Sequence, residues 1–583
     1  MRDAARMREV ADIVCYAEPA EWPLVVLSAM GKTTNLLLEA GELAARGADP
    51  DAVRALPPLR AMREHHLSTC DELGLSREAR LSVEALLAQL EQLLVGVAIL
   101  QDLTPRARDA LVSFGERLST RVFSAHLEAC GVPARQHDAW DLGVTTTDDF
   151  GNAEVLYDET TPRVRAALLL PEEEDGDGGE GDGGDDDGHD GVGHPPRPGQ
   201  QQQAMPPPQQ RPLRRRRREI PVVTGFLGRG AQTRAVTTLG RGGSDLTATV
   251  LGAALGLPSV CVWKDVDGVL TSDPRIVTGA SPVDALTFDE ATELAFFGAQ
   301  VLHPLAMQPA VRARGAMAVR VRNSYNRAAP GTTITSARDM RDSLVTSIVL
   351  KRDVTLLDIT SPRMVGQHGF LAAVFEVFRA KGVSVDVVAT SEVSVSLTLD
   401  PKRAQWAEGD VGEELGALVY ELERALGGGG GRGGGEGSSS LPPSSSSFWR
   451  GSGGGGGLTS PRRAHGGGGP SSGGAVEVGV RQGSSIVSLI CNVARTSEIL
   501  ARAFRALCAH GVNVEMMSQG ASKVNISLVV KDGDAGRRAV RCLHEEFFGP
   551  WGAEEAAAVA AGHYGPGRTA AEAKEAARKA AQR

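Results

Sequence analysis

The chain has 583 residues, enough for several domains, and a formal net charge of −10. Eleven acidic side chains fall within Glu172–Asp190, so the rest is near neutral and overall charge argues against a nucleic-acid partner. Seven scattered cysteines without C-x-x-C spacing fit free thiols in a reducing compartment.

In chain order, Met1–Val10 is charged, lacks the apolar centre of a secretory signal and reads as a helix already under way. Pro23–Ser28 reads as a buried strand. It runs into Ser28-Ala29-Met30-Gly31-Lys32-Thr33-Thr34-Asn35, where hydroxyls and free N–H groups meet at the start of a helix. Leu111, Phe114, Leu118, Val122 and Ala125 recur at helical spacing and make one apolar face. Within it, Val112-Ser113-Phe114-Gly115-Glu116 puts an acid near an expected turn. No uninterrupted apolar run reaches the roughly 18 residues that a membrane span needs, so no membrane partner is expected.

Glu172–Arg218 is acidic, then Gln/Pro-rich, then basic at Arg214–Arg218. It cannot bury enough apolar surface to offset its chain entropy and is expected to be disordered, as is the Gly/Ser-rich Gly427–Gly474. Deleting Glu172–Arg217 or Gly427–Gly474 is expected to leave activity and inhibition intact, because loop-closure cost changes slowly with length.

After the first insert come short apolar strands at Ile220–Val223, Val260–Trp263 and Ala318–Val321. Strands alternating with helices argue a mainly parallel sheet covered on both faces. Thr237-Thr238-Leu239-Gly240-Arg241-Gly242-Gly243-Ser244-Asp245 precedes an Ala/Leu-rich helix pattern. Its glycines let main-chain N–H groups approach an anion at a helix N-terminus, and its arginine can grip a carboxylate or phosphate with two hydrogen bonds. Trp263–Arg275 has the look of a nucleotide-contacting loop, and Phe297–Pro304 follows a helix. Further on, Phe378–Asp386 with Val387–Leu399 and Phe504–Glu515 with Met516–Val530 repeat one pattern of helix, Gly-Val, strand, polar turn, strand. Each copy has another strand upstream, at Ser347–Ile359 and Ser485–Val493. Ala553–Arg583 is Ala-rich and suits a surface helix.

In this order and spacing the motifs closely resemble aspartate kinase, the single-function, lysine-sensitive type of plants and algae, and the repeat resembles its paired ACT domains. The resemblance implies an α/β fold: an amino-acid-kinase sandwich with a mainly parallel central sheet at 1–336, interrupted by the insert 172–218. Two ACT (βαββαβ-like) units follow at 343–426 and 479–550, separated by the insert 427–478 and trailed by 551–583. The implied reaction moves the γ-phosphoryl of ATP, carried with Mg2+, to the side-chain carboxylate of L-aspartate, the first step toward lysine, threonine and methionine. By resemblance the substrate residues are Ser28, Thr34, Glu116, Arg241, Ser244 and Asp245, with Glu116 on the ammonium and Arg241 on the α-carboxylate. Lys264, Asp265, Leu270 and Arg275 match the ATP loop. Met364, Gly369, Phe370, Leu371, Ser384, Val385, Asp386, Thr390, Ser391 and Glu392 match the lysine site. No dedicated metal-ligand cluster is expected. Lysine, alone or together with S-adenosylmethionine, is the implied effector, a homodimer or higher homo-oligomer through the ACT units the implied assembly, and the chloroplast the implied compartment.

Each assignment has a plainer competitor. Glu116 can be an exposed helix acid, Asp265 and Asp267 turn caps, Lys264 a solvated charge, and His303 a residue that fixes a turn. Gln300 stands where some bacterial relatives carry a nucleotide-contacting lysine. The family's opening strand, ending Lys-Phe-Gly-Gly, has no match here, and neither does a transit peptide. The expectation is that this strand lies upstream of the given sequence, and that the chain without it turns over little. A non-catalytic effector-binding paralogue is the alternative reading.

Overall fold

The structure is a computed structural model. It describes residues 1–15, 22–47, 49–169, 219–240, 242–297, 302–340, 343–361, 364, 368–401, 411–426, 476–519 and 522–549. Arg241, Gln300, residues 172–218 and 427–475 of the inserts and the Ala-rich tail lie outside these residues, whereas 476–478, expected to close the second insert, are described and 477–478 already belong to a strand. The chain divides into two compact units: Met1–Leu270 with Ser281–Asp339, and Thr271–Ala280 with Met340 onward.

The first unit opens with α1 (Ala4–Cys15), β1 (Val25–Leu27), α2 (Thr33–Ala45), α3 (Pro57–Glu72), α4 (Arg77–Leu100) and α5 (Pro105–Ala129). Helix starts are chemically marked. Ser76 caps α4 through the Ala79 N–H, and Thr104 caps α5 through the Ala107 N–H with Pro105 in the first turn. By length and hydropathy α4 is apolar enough to cross a membrane, but its Leu86, Leu90 and Leu94 lie in a core with Leu37, Leu111, Leu118 and Phe123. The expected turn at Val112–Glu116 is instead the middle of α5. Gly115 is tolerated there because close packing, not a reversal of the chain, requires it, as its contacts below show.

The chain continues through β2 (Ala134–His137), β3 (Thr145–Thr146), α6 (Tyr157–Leu169), β4 (Ile220–Thr224), β5 (Leu227–Gly230), β6 (Val236–Thr238), α7 (Gly243–Leu255) and β7 (Ser259–Lys264). Then come β8 (Ala285–Thr287), α8 (Phe288–Phe296), α9 (Gln308–Arg312), β9 (Ala318–Asn323) and β10 (Thr332–Thr335). A parallel sheet runs β1-β4-β2. Its alternating side chains serve two cores: Leu27 and Val222 face the helices α2–α5, while Val26 and Val223 face Val164 of α6 and Leu251 of α7. This is the expected two-sided covering of a parallel sheet. A second sheet, β7-β9-β10-β8, pairs β7 with β9 and β8 with β10 in parallel and β9 with β10 antiparallel. A third, β3-β5-β6, is parallel then antiparallel.

The second unit contains β11 (Val345–Thr360), α10 (Phe370–Ala380), β12 (Val385–Thr390), β13 (Ser394–Leu399), α11 (Val411–Leu426), β14 (Glu477–Cys491), α12 (Thr496–Ala509), β15 (Val514–Gln519), β16 (Asn525–Val530) and α13 (Gly533–Phe548). The two repeats share one antiparallel sheet, β12-β13-β11-β14-β16-β15. β11 and β14 pair along their length, from Val345 opposite Cys491 to Thr360 opposite Glu477, with register shifts at Val345/Ser347, Lys351/Val354 and Val354/Leu356. Each long strand therefore feeds two cores. Ile348 of β11 packs with Leu489 and with Ile499 of α12 and Val540 of α13, while Leu357 and Ile359 pack with Phe370 and Val374 of α10 and Leu418 of α11. The segment Thr271–Ala280 is part of this unit: Ile348 N–H donates to the Thr271 carbonyl at 2.8 Å, and the Thr271 hydroxyl lies 2.9 Å from His544 Nε2.

Candidate active site

The C-terminal ends of β1 and β4 are joined by a hydrogen bond from Gly225 N–H to the Leu27 carbonyl at 2.8 Å. Such strand ends are where open parallel sheets leave a crevice. Beyond β1, the Ala29 N–H donates to Glu116 Oε1 at 3.1 Å. α5 can come this close because residue 115 is glycine: a Cβ there would sit 2.8 Å from Ala29 Cβ and 3.7 Å from Thr34 Oγ1. Ser119, one turn after Glu116, donates to the Ser28 carbonyl at 2.8 Å. Beyond β4, a Cβ on Gly225 would meet Ser244 Oγ at 2.5 Å, so Ser244 closes against the same strand end. Ser28, Thr34, Glu116 and Ser244 thus converge.

Glu116 is not the exposed helix acid of the plainer reading. It is 4% exposed, and its Oε2 has no hydrogen-bond partner among the described residues. Burial pushes its carboxyl up to about 7, against the opposing pull of the Ala29 N–H. A buried acceptor left unpaired costs roughly 1–3 kcal/mol, more for a charged group. An ammonium brought to Oε2 supplies the missing donor and favours the charged form.

On the other side stands the start of α7. Gly242, at φ +81°, precedes it, and Asp245 lies in its first turn. Lys264, at the end of β7, binds both Asp245 oxygens, with Nζ at 3.0 and 2.9 Å. The main-chain N–H of His303 adds a third contact to Asp245 at 3.3 Å. Lys264 is therefore not a freely solvated charge. His303 does fix a turn, since its Nδ1 accepts from the Leu305 N–H at 3.1 Å. Burial lowers its imidazole pKa.

This architecture can be set beside known proteins. The amino acid kinase family matches residues 1–323, and an ACT domain matches residues 487–547. Aspartokinase 1, chloroplastic, of Arabidopsis thaliana is 46% identical over 545 residues, covering 94% of this chain and 78% of its own. The chain belongs to the aspartokinase family. Lysine-sensitive aspartokinase 3 of Escherichia coli is 34% identical over 68% of this chain and 76% of its own. Among solved structures, E. coli aspartokinase III in complex with aspartate and ADP (R-state) matches with a TM-score of 0.67 at 28% identity, over 94% of this chain and 97% of that one. The same enzyme with lysine and aspartate (T-state) matches with a TM-score of 0.61, again at 28% identity and over 94% and 97% of the two chains. As an aspartokinase, the chain is an ATP-dependent kinase.

In this aspartokinase the expected nucleotide residues are not all alike. Asp265 is exposed at the end of β7. Asp267 accepts from Asn323 Nδ2 at 2.8 Å and Asn326 Nδ2 at 3.1 Å, which shapes the loop as a turn residue would. Leu270 bridges to Pro282. Arg275 lies in the segment that belongs to the second unit, 87% exposed, its guanidinium held by Asp273 at 2.7 Å. Among the described residues no group of three or more His, Cys, Asp or Glu side chains is assembled to hold a metal ion.

The expected effector residues gather on the first repeat. Gly369, at φ +82°, starts α10, with Phe370 buried and Leu371 exposed. Met364 packs on the core beneath. Ser384 is exposed, Val385 begins β12, and Thr390, Ser391 and Glu392 form its exposed far end. Asp386 is engaged: its Oδ2 lies 2.7 Å from Lys351 Nζ, which also approaches Asp400 at 3.5 Å. The sequence reading missed Lys351, Ala29, Ser119 and the buried Asp109. Asp109 and Ser119 sit at helical spacing from Glu116, seven and three residues away, and that spacing was the available signal.

Proposed function

We propose that this aspartokinase phosphorylates the side-chain carboxylate of L-aspartate with MgATP, giving 4-phospho-L-aspartate and ADP. A carboxylate oxygen attacks the γ-phosphorus, the bond to the β–γ bridging oxygen breaks, and ADP leaves with the electron pair. Such transfer needs positioning and charge stabilisation more than covalent help. The observation that carries the substrate assignment is the buried Glu116 oxygen without a partner, set beside Ser28, Thr34 and Ser244. Glu116 takes the α-ammonium, and the loop from β6 to the α7 N-terminus, with Arg241, takes the α-carboxylate. Asp245 and Lys264 brace the far wall, and Lys264, Asp265 and Leu270 border the nucleotide. Magnesium arrives with the phosphates and keeps water and phosphate oxygens as its main ligands.

The likeness to chloroplastic Arabidopsis aspartokinases supports residence in plastids and a role ahead of lysine, threonine and methionine. The matched T-state complex of the E. coli enzyme with lysine supports lysine as the effector of the first repeat. S-adenosylmethionine as a second effector, and assembly of copies through the ACT repeats, complete the reading. Titration calorimetry tests the core of it: L-aspartate should bind, and N-acetyl-L-aspartate, whose ammonium is blocked, should not. Equal affinity for the two would remove Glu116 from the substrate site.

A further inference from the structure

Asp109 lies on α5 seven residues before Glu116, about two helical turns away and so on the same side of the helix. It is 2% exposed. Its Oδ2 accepts from the Gly151 N–H and from the Thr238 N–H, both at 2.9 Å, and its Oδ1 accepts from the Thr238 hydroxyl at 2.9 Å. Thr238 is the last residue of β6, where the chain turns toward α7. The neighbouring segment is drawn in too: Ala153 N–H donates to the Thr238 carbonyl at 2.9 Å, and a Cβ on Gly240 would fall 2.7 Å from Asn152 Oδ1. Three hydrogen bonds thus tie one carboxylate to the exit of β6 and to the turn beside it. A buried acid is an expensive way to fasten a loop unless every oxygen is used, as here.

We propose that Asp109 is a positioning residue for the amino-acid substrate. The same rigid helix carries Glu116, which faces the ammonium, and Asp109, which fixes the loop facing the α-carboxylate. The distance between the two recognition points is then set by α5 and not by the loop. A substrate held at both ends needs that distance kept to a fraction of an ångström. This inference rests on the substrate-site reading above.

The test is calorimetric titration of aspartate and of nucleotide into Asp109→Leu, Asp109→Asn, Thr238→Val and Glu116→Gln, with circular dichroism to confirm folding. Asp109→Leu should weaken aspartate at least about tenfold with nucleotide affinity unchanged, the order expected for losing charged hydrogen bonds. Asp109→Asn should rescue most of it: its carbonyl can accept both N–H groups and its amide can donate to the Thr238 hydroxyl. Thr238→Val, which removes one of the three bonds, should weaken aspartate roughly threefold and decides the matter if Asp109→Leu does not fold. Equal loss of aspartate and nucleotide affinity would mean a general structural role and overturn the proposal. Parent-like aspartate affinity in folded Asp109→Leu and Thr238→Val, with Glu116→Gln weakened, overturns the positioning role alone. Parent-like affinity in Glu116→Gln as well overturns the substrate-site reading beneath it.

Discussion

Glu116 in the first unit, assigned to the substrate ammonium, and Asp386 in the second, among the residues matching the lysine site, are both buried carboxylates, and the structure treats them in opposite ways. Glu116 takes one hydrogen bond from Ala29, and its Oε2 has no partner among the described residues. Asp386, with its side chain 3% exposed, already holds an ammonium: that of Lys351, itself 8% exposed. In the proposed reading, the first carboxylate takes its remaining donor from the substrate. The second is internally satisfied, so an effector ammonium must compete with Lys351 or bind beside it. Burial alone does not say what an acid is for; the partners of its oxygens do, and they differ between these two.

The largest expected effect breaks the satisfied pair. Lys351→Met removes the ammonium that lies 2.7 Å from the buried Asp386 carboxylate, and removing one partner of a buried ion pair costs about 3–5 kcal/mol. Denaturant unfolding of the second unit should show it; an unchanged midpoint would mean that the pair contributes nothing there.

Glu116→Gln, by contrast, should leave folding intact and weaken aspartate by roughly 1.5–3 kcal/mol, the range for a hydrogen bond to a charged group. Its pH dependence sharpens the contrast. With the folded carboxyl raised to about 7, the ligand-free folded state binds more protons than the unfolded chain between the ordinary carboxyl value and 7. Stability therefore falls as pH rises through that window. Aspartate needs the ionised form, so its affinity should drop about tenfold per pH unit below 7. In Glu116→Gln both trends should flatten, in thermal melts and in calorimetry respectively. A parent whose aspartate affinity is constant from pH 5 to about 8 would contradict the assignment.

Asp386→Ala probes the other carboxylate. It should weaken lysine about tenfold, less than a full charged contact because the freed Lys351 no longer has to be displaced. A lysine titration of the mutant beside the parent decides it, and unchanged affinity would take Asp386 out of the effector site. The smallest effect is expected from Ser119→Ala, which loses the 2.8 Å bond to the Ser28 carbonyl. About 1 kcal/mol of stability should go, with a slight loosening of aspartate. Loss of nucleotide affinity instead would show that Ser119 serves the other substrate.

Much of the fold was legible in the sequence. The strands at Pro23–Ser28, Ile220–Val223, Val260–Trp263 and Ala318–Val321 are found as β1, β4, β7 and β9 within a few residues, because short β-branched runs between helical patterns have few alternatives. The Gly-rich stretch does lead directly into a helix, α7, as glycines ahead of an apolar helical pattern suggest. Glu116 is singled out by its motif, but the turn expected near it is absent: Gly115 is a helical glycine whose missing side chain lets α5 touch the β1–α2 loop. Arg241, chosen from the same stretch as Asp245, lies outside the described residues.

What the sequence by itself determined is local and periodic: which segments are strands or helices, where the chain punctuates, that one pattern occurs twice. The tertiary structure decided the rest, because it depends on pairings between residues far apart in the chain. Nothing near Lys351 announces that β11 will lay it against Asp386, 35 residues on. Nothing near Asp109 announces Thr238, 129 residues on. The repeats read as consecutive units, yet β11 and β14 run through both cores, since two long antiparallel strands satisfy more main-chain groups together than apart. Whether a buried acid is a filled bond or an open one follows from these long-range pairings, and that distinction separates Asp386 from Glu116.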